Sequence, residues 1–302
     1  MTTLVTGATG NIGRRVVAGL VGAGQRVRAM SRDPEKAAAR LPAGVERAGG
    51  DFDRPETWAD ALRGVHRVYL FPGVHLDAAQ GEGFIDRAVE AGVRRFVVHS
   101  AVAAGFPHQG DPRDPGLTPL QRHLADERQG HRDIELAVEA TGAEWTHVRP
   151  GLLAAGALEW AGEIRATGSV RAPYPRAAQA LTHEADVAEV AVAALLTDDH
   201  VGATHTITGP HPVTQLDQVR AIGAATGRAV GFVELTPEQA RQEWYDPGQG
   251  VDHAVLDWLL ELLAASADDP ALVPPTGTFE RITGRPPRTF AQWACDHAED
   301  FR

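Results

Sequence analysis

The sequence predicts an α/β protein: a doubly wound parallel sheet carrying a smaller C-terminal α/β substrate lobe. Three observations predict it. Short apolar strands alternate with helix-period segments through the first half of the chain. The connections between them are short, as parallel crossovers in a doubly wound sheet allow. A strand–turn–helix unit with glycines at positions 7, 10 and 13 stands at the start.

Each element has its own signal. Thr2-Thr3-Leu4-Val5 reads as a buried strand, and residues 14–21 as the helix after the glycine turn. Residues 25–30 form the second strand. Pro34, with charged neighbours in Ser31-Arg32-Asp33-Pro34-Glu35-Lys36, opens the next helix. Residues 45–51 form a weak third strand, followed by a helix over 55–62. The fourth strand, 67–71, is closed by Pro72-Gly73; a helix over 84–91 and a strongly apolar fifth strand, 95–100, follow. Residues 105–117 are rich in Pro, Gly and Asp and read as a loop. A long helix over 123–141 leads to a sixth strand and its exit, 144–151.

Beyond it, 154–167 reads as helical, 169–175 as irregular, 186–196 as an apolar helix and 204–208 as a short strand. Helices at 215–226, 237–244 and 251–265 complete the expectation. Residues 1–150 are thus expected to form the doubly wound core. Residues 151–302 are mainly the substrate lobe, with some elements returning to the sheet.

The composition narrows the function classes. With 302 residues and 43% hydrophobic side chains, a substantial core is available. Forty acidic against 29 basic residues give a net charge of −11. That opposes a broad nucleic-acid surface, which needs clustered Lys and Arg. One cysteine, Cys295, makes no intrachain disulfide, and a buried or idle thiol is expected. The histidines lack metal-ligand spacing, so no metal is expected. No apolar run has the length of a membrane span, and the opening strand leaves no room for a signal peptide. A cytoplasmic protein is expected, with a small-molecule substrate, no nucleic acid or membrane partner, and a homodimer left open.

The opening motif carries the first functional expectation. Thr6-Gly7-Ala8-Thr9-Gly10-Asn11-Ile12-Gly13 sits between a strand and a helix. Glycines there make a tight turn without side chains in the way. A pyrophosphate can rest against the free N–H groups and positive dipole end of the helix.

These residues resemble the signature of the atypical short-chain dehydrogenase/reductases, in particular the NmrA-like group. Further matches follow in order: Ser31-Arg32-Asp33-Pro34, Gly50-Asp51-Phe52, His99-Ser100-Ala101, residues 145–151, residues 183–188, residues 207–210 and residues 283–290. The resemblance covers nearly the full length. It implies a Rossmann-type fold that binds NADP(H) or NAD(H), with Gly7, Thr9, Gly10, Asn11, Ile12 and Gly13 around the pyrophosphate. Arg32, just past the second strand, lies where the adenosine ribose is expected. An arginine there suits a 2′-phosphate, whereas NAD-preferring relatives of the fold place an acid, so NADP(H) is favoured over NAD(H). Arg14 or Arg15 can assist. Asp51 and Phe52 are expected near the adenine, with a helix N-cap as the alternative for Asp51. Phe71, Pro72 and Gly73 are expected along the riboses.

The catalytic expectation is less regular. Typical short-chain reductases use Tyr-x-x-x-Lys on one helix face and a Ser after the fifth strand. Ser100 is kept here. The matching helix positions hold Glu127 and His131, and Tyr-x-x-x-Lys is absent; the three tyrosines are Tyr69, Tyr174 and Tyr245. The candidate catalytic set is therefore Ser100, His131 and Tyr174, with Ser100 and His131 also expected on the cofactor. An imidazole can donate a proton or hold a ribose hydroxyl, and a half-exposed helix histidine is the plainer alternative. Tyr174 and Trp160 fall in the segment expected over the nicotinamide, with core or lid packing as the alternative, favoured more for Trp160 than for Tyr174; His183 and Asp186 are expected at a helix start. The expected function is NADPH-dependent reduction of a small apolar carbonyl, quinone or enone. The alternatives are a non-catalytic NADP(H)-binding redox sensor and a non-redox tailoring enzyme on the same scaffold.

Overall fold

A computed structural model describes residues 1–72, 83–107, 110–269 and 273–302. Its centre is a seven-stranded, wholly parallel sheet. In chain order the elements of the first half are β1 (Thr2–Val5), α1 (Gly13–Gly22), β2 (Arg26–Ser31), α2 (Pro34–Ala37), β3 (Glu46–Gly49) and α3 (Trp58–Leu62). Next come β4 (Val65–Leu70), α4 (Phe84–Glu90), β5 (Arg95–His99), α5 (Pro119–Ala140) and β6 (Glu144–Pro150). The second half holds α6 (Ala161–Thr167), β7 (Ser169–Ala172), β8 (Ala178–Gln179), α7 (Glu184–Leu196), β9 (Ala203–Ile207), β10 (Val213–Thr214) and α8 (Gln215–Thr226). It ends with β11 (Gly231–Glu234), α9 (Pro237–Glu243), α10 (His253–Asp268), α11 (Thr278–Thr283) and α12 (Phe290–Asp296).

The strand order is β3-β2-β1-β4-β5-β6-β9. It reverses at β1, which pairs with β2 on one side and β4 on the other. In open parallel sheets that reversal leaves a crevice at the carboxyl ends of the strands, where ligands bind.

Strand periodicity builds a core on each face. Val5, Tyr69, Val97 and Val148 face α1 and α7, packing with Val16, Leu20, Val187 and Val190. Leu4, Val68, Phe96 and Val98 face the opposite way, against Phe84, Ile134 and Val138. A third cluster, including Val170, Ile222, Phe290, Trp293 and Phe301, belongs to the C-terminal elements.

Several boundaries differ from the sequence expectation for physical reasons. The long helix starts at Pro119, before residue 123, because Thr118 and Gln121 close a capping box with proline in the first turn. The stretch expected as irregular at 169–175 contains β7, which pairs in parallel with β11 much later in the chain. Local pattern does not reveal such a partner. The short helices α11 and α12 were not expected; α12 owes its start to a capping box of Thr289 and Gln292. Cys295 is exposed, not buried, because α12 turns Phe290, Trp293 and Ala294 inward instead.

One buried network ties the end of the chain to its beginning. Glu184 is fully buried at the start of α7. Its Oε1 accepts from Arg15 of α1 at 3.0 Å and lies 2.6 Å from His297 Nε2. His183 is the N-cap of α7, accepting from the Ala185 N–H at 3.1 Å. Asp186 pairs with Arg288 and accepts from its backbone N–H at 2.8 Å. Among the described residues no helix is long and apolar enough to cross a membrane.

Candidate cofactor cleft

The glycine turn is shaped by its own backbone. Gly7 has φ +58°, the left-handed region that glycine adopts without strain. Its carbonyl accepts from the Gly10 N–H at 3.0 Å. A Cβ on Gly13 would stand 2.1 Å from the same carbonyl oxygen, an impossible overlap. Gly13 thus serves the closure of the turn itself; the space assigned from the sequence to phosphate approach is occupied by Gly7. Gly10 and Asn11 are exposed, and the Ile12 side chain is buried in the core.

The helix that follows is open to an anion. Its N-cap, Ile12, provides no side-chain cap, and the first turn has no acid. Arg14 donates its N–H to the Gly10 carbonyl at 3.1 Å and Arg15 to the Ile12 carbonyl at 2.9 Å, which leaves the N–H groups of Asn11, Ile12 and Gly13, without an acceptor among the described residues, for a bound phosphate. Arg15 is committed to Glu184 and so is not free to assist. Thr6 locks the floor: its hydroxyl accepts from the Phe71 N–H at 2.7 Å and lies 3.2 Å from the Tyr69 carbonyl.

Beside this turn lies a cavity of about 660 Å³, within the range of small-molecule sites. Gly7, Thr9, Arg32, Asp51, Phe52 and Phe71 line it, as expected from the sequence; Met30, Lys36 and Arg40 were not expected. The spacing Arg32, Lys36, Arg40 is a basic i, i+4, i+8 series that was legible in principle. Asp33 lines the cavity as well, but its carboxylate is engaged: it caps α2, accepting from the Lys36 N–H at 3.1 Å, and lies 3.3 Å from Lys36 Nζ. Arg32 has no ion pair among the described residues. Asp51 is not a helix N-cap. Its carboxylate accepts from the Asp53 N–H at 3.2 Å, and its carbonyl accepts from Trp58 Nε1 at 2.7 Å. Phe71 remains 40% exposed, an aromatic face left open to the cavity. Pro72 is buried beside it, and Gly73 lies outside the described residues.

A second group gathers at the carboxyl end of β5. Ser100 is buried; its N–H donates to the Val148 carbonyl at 2.8 Å, and its hydroxyl has no partner in hydrogen-bonding geometry. His131 is half-buried with an unpartnered, sealed Nδ1. Burial pushes its pKa down, against the pull of Glu127 and Glu135. Glu127 itself is exposed.

Beneath them Glu135 is fully buried, with Arg149 forked onto it at 2.8 and 2.6 Å and Arg132 at 2.8 Å. Burial raises the Glu135 pKa, but Arg149, the nearby Ser100 hydroxyl and Arg132 outweigh it and hold the carboxyl at about 2. Glu135, Glu139 and His147 have the spacing of a metal trio. Arg132 and Arg149 already neutralise these carboxylates, which makes the group an ion-pair network.

Tyr174 is half-buried at φ +55°, and its carbonyl accepts from Gln215 Nε2 at 2.9 Å. Its recorded contacts lie in the C-terminal elements, not with Ser100 or His131. Trp160 packs on the C-terminal cluster, as expected.

Residues 7–198 match the model of the NAD(P)H-binding family. The chain belongs to that family. This bears out the resemblance to the NmrA-like reductases. Two curated relatives extend over the whole length. The (4-alkanoyl-5-oxo-2,5-dihydrofuran-3-yl)methyl phosphate reductase of Streptomyces griseus is 36% identical, covering 99% of this chain and 98% of the relative. The NAD(P)H azoreductase of Xenophilus azovorans is 33% identical, again over 99% of this chain and 98% of the relative. Among solved structures, the NADPH-dependent quinone oxidoreductase of Escherichia coli complexed with NADPH superimposes with a TM-score of 0.73. It is 23% identical, covering 97% of this chain and 99% of that one, and shows the same fold.

Two outcomes test this geometry. Gly13→Ala should weaken NADP(H) binding severely and lower stability, because the new methyl must displace the Gly7 carbonyl; dye binding and thermal melting read both. Glu135→Gln should cost about 3–5 kcal/mol in urea denaturation, since it strips a buried ion pair of one charge. Because the folded pKa of Glu135 lies below its ordinary value, its stabilisation is complete above about pH 4.5 and fades as pH falls toward 2. The difference between the wild type and Glu135→Gln should shrink over that interval.

Proposed function

We propose that the protein is an NADPH-dependent reductase of a small apolar carbonyl, quinone or enone. The observation that carries the NADPH part is the state of the acids and bases past β2. Asp33, the nearby acid, is spent on the α2 cap, while Arg32 lines the cavity without an ion pair. Arg40 lines the same wall, as does Lys36, whose ammonium lies 3.3 Å from Asp33. A 2′-phosphate gains from such donors, and ribose hydroxyls alone do not need them. The open helix terminus and the glycine turn fit the pyrophosphate.

Reduction is supported by the relatives, named as reductases of an azo compound and of a furanone phosphate. Bound NADPH would supply a hydride. The chain's own contribution is to orient and to manage the proton. Ser100 follows β5 and His131 lies on α5; each holds a buried polar atom without a hydrogen-bond partner among the described residues, the hydroxyl and Nδ1, and we assign these two groups to the acceptor oxygen and its proton. Burial pushes the His131 pKa below its ordinary value, which favours the neutral imidazole. Tyr174 is assigned no role on its recorded contacts.

The test is NADPH oxidation against a panel of quinones, enones and an azo dye. Turnover of a panel member, abolished in Gly13→Ala, supports the reading. Tight NADP(H) binding with no turnover across the panel would favour the sensor reading, which the missing Tyr-x-x-x-Lys pair motivates. Arg32→Ala should weaken NADPH binding about tenfold or more, the loss of one charge-assisted contact, and leave NADH binding within about threefold. Titration with both nucleotides measures that contrast.

A further inference from the structure

Tyr69 and His99 form a buried pair that no part of the proposed chemistry uses. Tyr69 is fully buried and His99 is 7% exposed, and Tyr69 Oη lies 2.9 Å from His99 Nδ1. The pairing follows from register. Tyr69 of β4 stands opposite Val97 of β5, so His99 is the diagonal neighbour on the same face of the sheet. That face is the one that carries α1 and the glycine turn. Phe71 packs on His99 with ring centroids 4.9 Å apart, and Phe71 also meets Gly7 and lines the adenosine-side cavity. His99 itself does not line that cavity. It is the last residue of β5, next to Ser100, at the carboxyl end of the sheet where the crevice opens.

The hydrogen bond has two possible directions with unequal consequences. If His99 Nδ1 carried the proton, the Tyr69 hydroxyl proton would need another acceptor, and the described residues show no other partner for it. A buried, unmet hydroxyl costs about 1–3 kcal/mol. If Tyr69 donates, its hydroxyl proton and His99 Nδ1 satisfy each other. The imidazole then carries its proton on Nε2, the nitrogen that Tyr69 leaves for a ligand. Nε2 is not among the sealed, unpartnered ring nitrogens of the fold.

We propose that Tyr69 locks His99 as the Nε2–H tautomer, and that this N–H is donated to an acceptor oxygen on the nicotinamide half of bound NADP(H). His99 is thus a cofactor-binding residue and Tyr69 a positioning residue. Two titratable groups face the ring: Tyr69 from β4 and His131 from α5. Burial, seconded by His131, drives the His99 pKa down to about 3, and burial drives that of Tyr69 far above its ordinary value. The pair therefore stays neutral, and its donor stays fixed, throughout the physiological range. A fixed neutral donor is not repelled or altered when the cofactor's ring charge changes on oxidation.

The experiment reads the tautomer and the binding separately. In protein labelled with ¹⁵N-histidine, a long-range ¹H–¹⁵N correlation spectrum reports which ring nitrogen is protonated. The His99 signals are identified as those missing from His99→Gln. The expected result is an Nε2–H tautomer that does not titrate between pH 5 and 8, becomes a mixture in Tyr69→Phe, and shifts when NADP⁺ is added. An Nδ1–H tautomer, titration near pH 6.5, or indifference to NADP⁺ overturns the proposal.

The double variant Tyr69→Phe/His99→Leu removes both polar partners and so leaves no buried orphan. It should bind NADP⁺ about tenfold more weakly, the loss of one hydrogen bond. Unchanged affinity overturns the assignment. The proposal rests on the cofactor part of the proposed function and not on turnover. A protein that binds NADP⁺ through His99 yet reduces nothing would sink the reductase reading alone. Normal turnover and affinity in the double variant would sink this one alone.

Discussion

The carbonyl of Gly7 fills the space where any other residue at position 13 would put its first carbon. Much of the cleft depends on this contact. It brings the end of β1 so close to the start of α1 that the helix opens toward the crevice without a side-chain cap. The same turn presses Gly7 against Phe71, and Thr6 stitches β1 to the end of β4. Two neighbouring strand ends are therefore held as one rigid floor. A cofactor lying across them meets backbone groups whose positions are fixed before it arrives, which reduces the ordering cost of binding.

Burial treats the charged and neutral groups of the cleft differently. Glu135 keeps its charge inside the protein because Arg149 and Arg132 meet it with well-formed hydrogen bonds. Through that pairing α5 is clamped onto β6, and His131, one turn before Glu135, is held over the end of β5. Tyr69 and His99 answer the same burial by staying uncharged and satisfying each other. One side of the β5 terminus is thus organised by ions, and the other by a neutral hydrogen bond.

Contacts made within a few residues were legible in the sequence. The glycine turn, the Pro34 helix start and the apolar strands all carry local signals, and Arg32, Asp51, Phe52 and Phe71 do line one cavity. The capping box of Thr118 and Gln121 was equally local but lay outside the apolar pattern that marked the helix. What escaped depends on pairing across the chain. Strand β7 exists only because β11 lies beside it. The partnership of Tyr69 with His99 follows from the register of two strands, and no spacing within either strand announces it. The exposure of Cys295 was not legible, because one turn of helix decides which side faces water and α12 is too short for its periodicity to be read.

The network of Arg15, Glu184 and His297 joins three stretches that are far apart in chain order. Helix α1 also finds its apolar cover in α7, well past the midpoint. On the ribosome, the glycine turn emerges well before the surfaces that hold its helix in place. The inner side of α1 must wait for those later segments, uncovered or chaperoned in the meantime. High sequence separation of this kind slows the final docking step. A turn made early in this order therefore becomes firm only after much later segments have been made.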